Sequence, residues 1–230
     1  KKLKYQNALK MYMNLYKLAN KFNDNELKVS SLLFIVKCYL KLDKINNALE
    51  MQEELRNCSC SKNDAIERDL LIAKLFMVSY STEPAFELLY KLQENKELSN
   101  PQKITLKMLL AEGYDYQEKD DISLELYMEI LKDINLGTIE KTTILYRMCS
   151  IYLQHNMIED ANKYAEDGYK SACKQDSLDN QANFLLELFI ISLKRGNTND
   201  FEKHKKNILI LSKQSSVNIT NQYAVLLIKF

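Results

Sequence analysis

The stretch LLFIVKCYLKLDKINNALEMQEEL, residues 32–55, reads as two helices joined by a tight turn. Leu32, Val36 and Tyr39 fall three and four residues apart, as the packed stripe of a helix requires. Tyr39 closes the first helix, the polar run Leu42 to Asn47 turns the chain, and Ala48 opens the contact face of the second. The spacing of nine residues from Tyr39 to Ala48 then recurs. Phe76 pairs with Ala85, Tyr114 with Ser123 and Tyr152 with Ala161, and a weaker copy joins Ser192 to Phe201.

The second-helix positions Ala8, Ala48, Ala85, Ser123, Ala161 and Phe201 follow one another at intervals of 40, 37, 38, 38 and 40. Val36, Ala73, Ala111, Cys149 and Phe189 stand three residues before each first-helix position. Leu15, Leu55, Leu92, Ile130, Gly168 and Ile208 stand seven after each second-helix one. Small residues let helices approach closely, aromatics fill the grooves between them, and each hairpin leaves an apolar side for the next to cover. The expected fold is all-α, a right-handed superhelical solenoid of about six helix–turn–helix repeats with a period of 37–40. One repeat domain spans 1–230; its first repeat lacks a first helix, and residues 217–230 form a capping or dimerisation helix. Asn100-Pro101 predicts a helix start with Asn100 as the cap, Pro84 falls in a first turn, and Gly196 marks the last inter-helix turn.

Composition agrees. Four glycines and two prolines in 230 residues are too few for a sheet protein with many tight turns. The net charge of +1 is uneven, at +5 over residues 1–60, −7 over 61–140 and +3 over 141–230. An acidic middle opposes a phosphate backbone, so no nucleic acid is expected as a partner. Five widely spaced cysteines point to a reducing compartment. With no run of 18 apolar residues, neither a membrane partner nor a membrane span is expected, and the chain reads as cytoplasmic. The opening Lys1-Lys2-Leu3-Lys4 already follows a helical pattern, which predicts that an N-terminal domain precedes it.

No residue set points to an enzyme, a cofactor or a metal. Cys58-Ser59-Cys60 lacks further ligands at suitable spacing and reads as a loop between repeats, and Cys149 reads as core. His155 is expected in a turn and His204 on a solvated face. The four glycines stand apart, so no loop cradles a phosphate. What remains is the inner face of the first helices. Its candidate ligand-binding residues are Lys37, Lys41, Lys74, Met77, Glu112, Tyr116, Tyr146, Ser150, Asn183 and Lys194, with Leu40, Asp115, Gln154 and Ile190 beside them. Amides suit the backbone of an extended peptide, cations a carboxylate, and apolar gaps its side chains.

The register from Ala8 to Phe201 resembles the tetratricopeptide repeat in a long form. It also resembles the solenoids of Gram-positive peptide-pheromone receptors of the Rgg, PlcR and Rap kind. That resemblance implies a cytoplasmic regulatory domain that binds an oligopeptide on its concave face and dimerises through its C-terminal repeats. It further implies a DNA-binding or helical-bundle domain ahead of residue 1, and hence transcription regulation and quorum sensing. The other reading is a general protein–protein adaptor with no small ligand. The apolar run Tyr223-Ala224-Val225-Leu226-Leu227-Ile228 predicts a covered C-terminus and a homodimer.

Overall fold

A computed structural model describes residues 2–214. They form eleven α-helices and, among the described residues, no strand: α1 (Lys2–Phe22), α2 (Asn25–Lys41), α3 (Ile45–Arg56), α4 (Lys62–Val78), α5 (Thr82–Gln93), α6 (Asn100–Tyr116), α7 (Asp120–Leu131), α8 (Thr138–Gln154), α9 (Ile158–Lys174), α10 (Leu178–Arg195) and α11 (Thr198–Gln214). The apolar run at 223–228 lies outside the described residues.

The nine-residue spacing has a local cause. In each turn after a first helix, one residue takes a left-handed conformation: Asp43, Tyr80, Glu118, Asn156 and Gly196, with φ of 57–65°. The amide after it donates back to the carbonyl five residues earlier. Lys44 reaches Tyr39, Ser81 reaches Phe76, Lys119 reaches Tyr114, Met157 reaches Tyr152 and Asn197 reaches Ser192, at 2.8–3.0 Å. This is the Schellman closure, in which a left-handed residue turns the last amides onto helix carbonyls otherwise left without partners. The first-helix position of the repeat supplies the accepting carbonyl in each closure. The amide of the second-helix position, at Ala48, Ser123, Ala161 and Phe201, then makes an early bond of the next helix, to the carbonyls of Lys44, Lys119, Met157 and Asn197. A fixed turn therefore sets a fixed spacing.

The starts of α2 and α4 are capped by side chains. Asp24 Oδ1 accepts from the Leu27 amide at 2.9 Å, and Ser61 Oγ from the Asp64 amide at 3.2 Å. The expected start of α6 shifts by one residue. Ser99 holds the cap position, its amide donating to Gln102 Oε1 at 3.0 Å, while Asn100 and Pro101 are the first two helical residues. Proline is tolerated there because first-turn amides have no helical acceptor.

The chain divides between Leu126 and Tyr127, within α7, into two compact units. In the first, α2 packs between α1 and α3, α4 pairs with α5, and α2, α4 and α6 lie side by side. Its core gathers Leu32, Val36 and Leu55 around Ala48, and Ala73, Met77 and Leu89 around Ala85. Ala8 is only half-buried, because α1 has a single large helix contact, with α2. In the second unit α8 and α10 are neighbours, α9 packs on both, and α11 covers α10. Here Gly168 has no room for a side chain, since a Cβ would run into the enclosed ring of Phe184. Phe201, standing where other repeats have a small residue, lays its ring against Phe189 at 4.8 Å.

Candidate functional site

The first unit holds a groove between α2, α4 and α6, with a volume of about 440 Å³. That lies within the usual range for ligand sites, roughly 300–1,000 Å³. Its apolar floor comes from Leu40, Leu70, Leu71 and Val78, residues spaced to share the face where α2 meets α4. Lys37, Lys41 and Lys74 line it from α2 and α4, and Pro101, Gln102 and Thr105 line it from the first turns of α6. Lys37 is held in place: Nζ meets Glu67 Oε2 at 2.9 Å and lies 5.2 Å from the Phe34 ring centre. That ring in turn stacks on Tyr12 at 4.6 Å. Lys41 is exposed and has no ion pair among the described residues. With Glu67 the only acid in the lining, the groove presents three ammonium groups against one carboxylate. It can hold an aliphatic group on its floor and an anion at its rim.

Four residues read from sequence, Lys37, Leu40, Lys41 and Lys74, meet in this groove. Met77 does not join them, and that expectation is corrected. It is fully enclosed in the core around Ala85 and Phe86, because it stands one step before Val78 on α4 and so is rotated about 100° from it. Glu112, Asp115 and Tyr116 are half-buried near the end of α6, away from the groove lining. The Tyr116 hydroxyl donates to Glu112 Oε1 at 3.3 Å and its ring lies 5.8 Å from that of Tyr80.

In the second unit the expected residues lie along α8 and α10. Tyr146, Ser150, Asn183 and Ile190 are half-buried, whereas Gln154 and Lys194 are exposed. Lys194 Nζ donates to Asn156 Oδ1 at 3.1 Å, a contact between helix ends. Tyr146 meets Phe184 edge-on at 5.7 Å. Burial, with the nearby Glu187 carboxyl, pushes the Tyr146 hydroxyl up to about 12. Glu187 is itself raised by burial, and the hydrogen bond from Tyr146 opposes that shift only in part.

Sequence reading missed Glu67, Gln102, Thr105 and Glu187. Glu67 sits seven residues before Lys74, a helical spacing that places it on the same face of α4. Glu187 bears the same relation to Lys194 on α10 and sits four after Asn183. Gln102 carried a signal of another kind, as the third residue after a capping serine.

The remaining groups are placed as follows. Cys149 is core, and burial pushes its thiol up to about 12. Cys58 is buried in the α3–α4 loop and donates to the Glu54 carbonyl at 3.4 Å, while Cys60 Sγ accepts from Arg68 Nη1 at 3.5 Å. His155 caps α8 and is exposed. His204 departs from the solvated position expected of it. It is half-buried, its Nδ1 meets no partner among the described residues, and burial followed by Lys203 lowers its pKa. No helix among the described residues is long and apolar enough to cross a membrane. No family model matches this chain, and no curated protein matches it.

Proposed function

We propose that the chain is a peptide-binding regulatory module built from tetratricopeptide-type repeats wound as a right-handed solenoid. In this reading it is the signal-peptide-sensing part of a bacterial transcriptional regulator, acting in the cytoplasm as a homodimer and without catalysis. The observation that carries the binding reading is the groove between α2, α4 and α6, with an aliphatic floor and three lysines at its edge. A ligand that fits this chemistry is an extended peptide with an apolar side chain next to a carboxylate, either an acidic residue or the free C-terminus. The recurrent turn and small-residue register supports the repeat assignment. Dimerisation is assigned to residues 217–230, and sedimentation of chains with and without them tests it.

The binding test is calorimetry with a panel of hexapeptides ending in an apolar residue, each made with a free and an amidated C-terminus. Tighter binding of the free acids, lost in Lys74→Glu, supports the reading. Equal binding of both forms by wild type and variant alike would place the ligand elsewhere. Uptake of no peptide, with a folded protein retained instead, would assign the chain to the adaptor class.

A further inference from the structure

The loop between α3 and α4 carries a pair of thiols that the groove does not use. Cys58 and Cys60 flank Ser59, outside both helices; Cys58 belongs to the core around Ala48, and Cys60 packs against that core. Both are free thiols. Two steps of chain span at most about 7 Å, and a disulfide needs Cα atoms roughly 4.4–6.8 Å apart, so this spacing suits a bridge. The loop is held from α2, where Asn25 Nδ2 donates to Ser59 Oγ at 3.1 Å and to the Ser59 carbonyl.

The two sulfurs meet different surroundings. Arg68 Nη1 donates to Cys60 Sγ at 3.5 Å, and the same guanidinium is fixed by its Nε bond to Asp69 Oδ1 at 2.9 Å. Cys60 also keeps part of its surface open. Cysteines that react with oxidants occupy such places, electropositive and partly accessible. Cys58 is buried, and its Sγ donates to the Glu54 carbonyl at 3.4 Å. Burial pushes its thiol up, so it stays protonated and shielded beside its neighbour.

We infer that Cys60 is an oxidation site for a small peroxide and that Cys58 resolves the product as a disulfide. In the first step the Cys60 thiolate attacks one oxygen of hydrogen peroxide. An S–O bond forms, the O–O bond breaks, and the departing hydroxide takes up the proton that the thiol released, leaving as water. Sulfur is oxidised to the sulfenic acid and the peroxide is reduced. In the second step the Cys58 sulfur attacks Cys60 Sγ. An S–S bond forms, the S–O bond breaks, and the hydroxide leaves as water with the Cys58 proton. Two thiols and one peroxide thus give one disulfide and two waters. Arg68 steadies the sulfur and the leaving oxygen through its N–H groups. The inference is independent of the peptide-binding reading.

The other cysteines provide the controls. Cys38 and Cys149 are buried, and Cys173 is exposed, so it reports what accessibility alone allows. The experiment treats the reduced chain with hydrogen peroxide and maps the products by mass spectrometry. In the wild type, the peptide holding Cys58 and Cys60 should lose two hydrogens, and a reductant should restore them. In Cys58→Ser, which lacks the second thiol, dimedone should trap a sulfenic acid on Cys60 about tenfold faster than on Cys173. Arg68→Met should bring the Cys60 rate down to that of Cys173. Equal trapping at Cys60 and Cys173 in Cys58→Ser would overturn the oxidation site. A wild-type chain that keeps a sulfenic acid on Cys60 and forms no Cys58–Cys60 disulfide would overturn the pairing, and that measurement needs no substitution.

Discussion

Gly168 and Phe184 occupy one volume between them. A helical glycine is less stable than alanine by about 1 kcal/mol, so its presence inside α9 needs a reason, and the ring lying over it is that reason. Gly168→Val should lower stability by about 1–3 kcal/mol in chemical denaturation. Shortening the ring by Phe184→Leu should make the same substitution less costly, and additivity of the two would show that they do not share the space. Ala111 gives a second test of the register. It is fully buried in α6, and its carbonyl accepts the Ser123 hydroxyl at 2.9 Å. Ala111→Leu should cost about 1–3 kcal/mol by overpacking. Glu187 adds a test by titration. Its folded pKa is raised, so folded and unfolded chains are both protonated below the ordinary carboxylate range and no stability is lost there. As pH rises, the unfolded chain ionises first, and stability falls until the folded pKa is passed. Glu187→Gln should match wild type at acid pH and lack this decline, which a series of urea melts across pH measures.

At the scale of elements, the helices were legible because two signals agree: apolar residues recur at helical intervals, and the turns between first and second helices have constant length. The Schellman closure explains why that length barely varies, since its hydrogen bonds fix the number of residues between the last aromatic and the next small side chain. Apart from Gly196, the individual turn residues were not legible. Gly196 and Asn156 are natural left-handed residues, but Tyr80 is a large side chain at φ 59° and 81% exposed. It is held in part by its ring contact with Tyr116 at 5.8 Å. The left-handed conformation costs a non-glycine residue about 1–2 kcal/mol, and an exposed aromatic contact returns less than that. Tyr80→Gly should therefore raise stability by roughly 0.5 kcal/mol, read as a higher urea midpoint with an unchanged slope. A fall instead would mean that the ring contact outweighs the strain. Met77 and Val78 mark the limit of periodicity on α4. Neighbours one step apart point into the core and toward the groove, and a register uncertain by one residue exchanges them.

At the scale of the whole molecule, charge is the quantity that decides what the groove can attract. A net charge of +1 gives the chain almost no overall pull on an anion, so attraction at the groove must come from the lysines that line it. The sequence showed the basic residues but not their meeting, because Lys37 and Lys74 are brought together by the packing of α2 on α4, a contact that no local pattern encodes. It concealed the burial of Glu187 for the opposite reason: one carboxylate among 31 acidic residues stands out only once its surroundings are known. Open and enclosed charges respond differently to salt. Lys41 and Lys74 are exposed, so their attraction for a peptide carboxylate is screened over a Debye length of about 8 Å at physiological ionic strength and about 3 Å at 1 M. Raising salt should weaken binding of a carboxylate peptide progressively, and Lys74→Glu should both lower the affinity and flatten the dependence. A contact made by the apolar floor alone would behave in the reverse sense, holding or strengthening as excluded salts such as sulfate are added. Calorimetric titrations of one peptide at several concentrations of sodium chloride, repeated in sodium sulfate, separate these contributions. A binding constant indifferent to sodium chloride in both wild type and Lys74→Glu would remove the lysines from the site and leave only its floor.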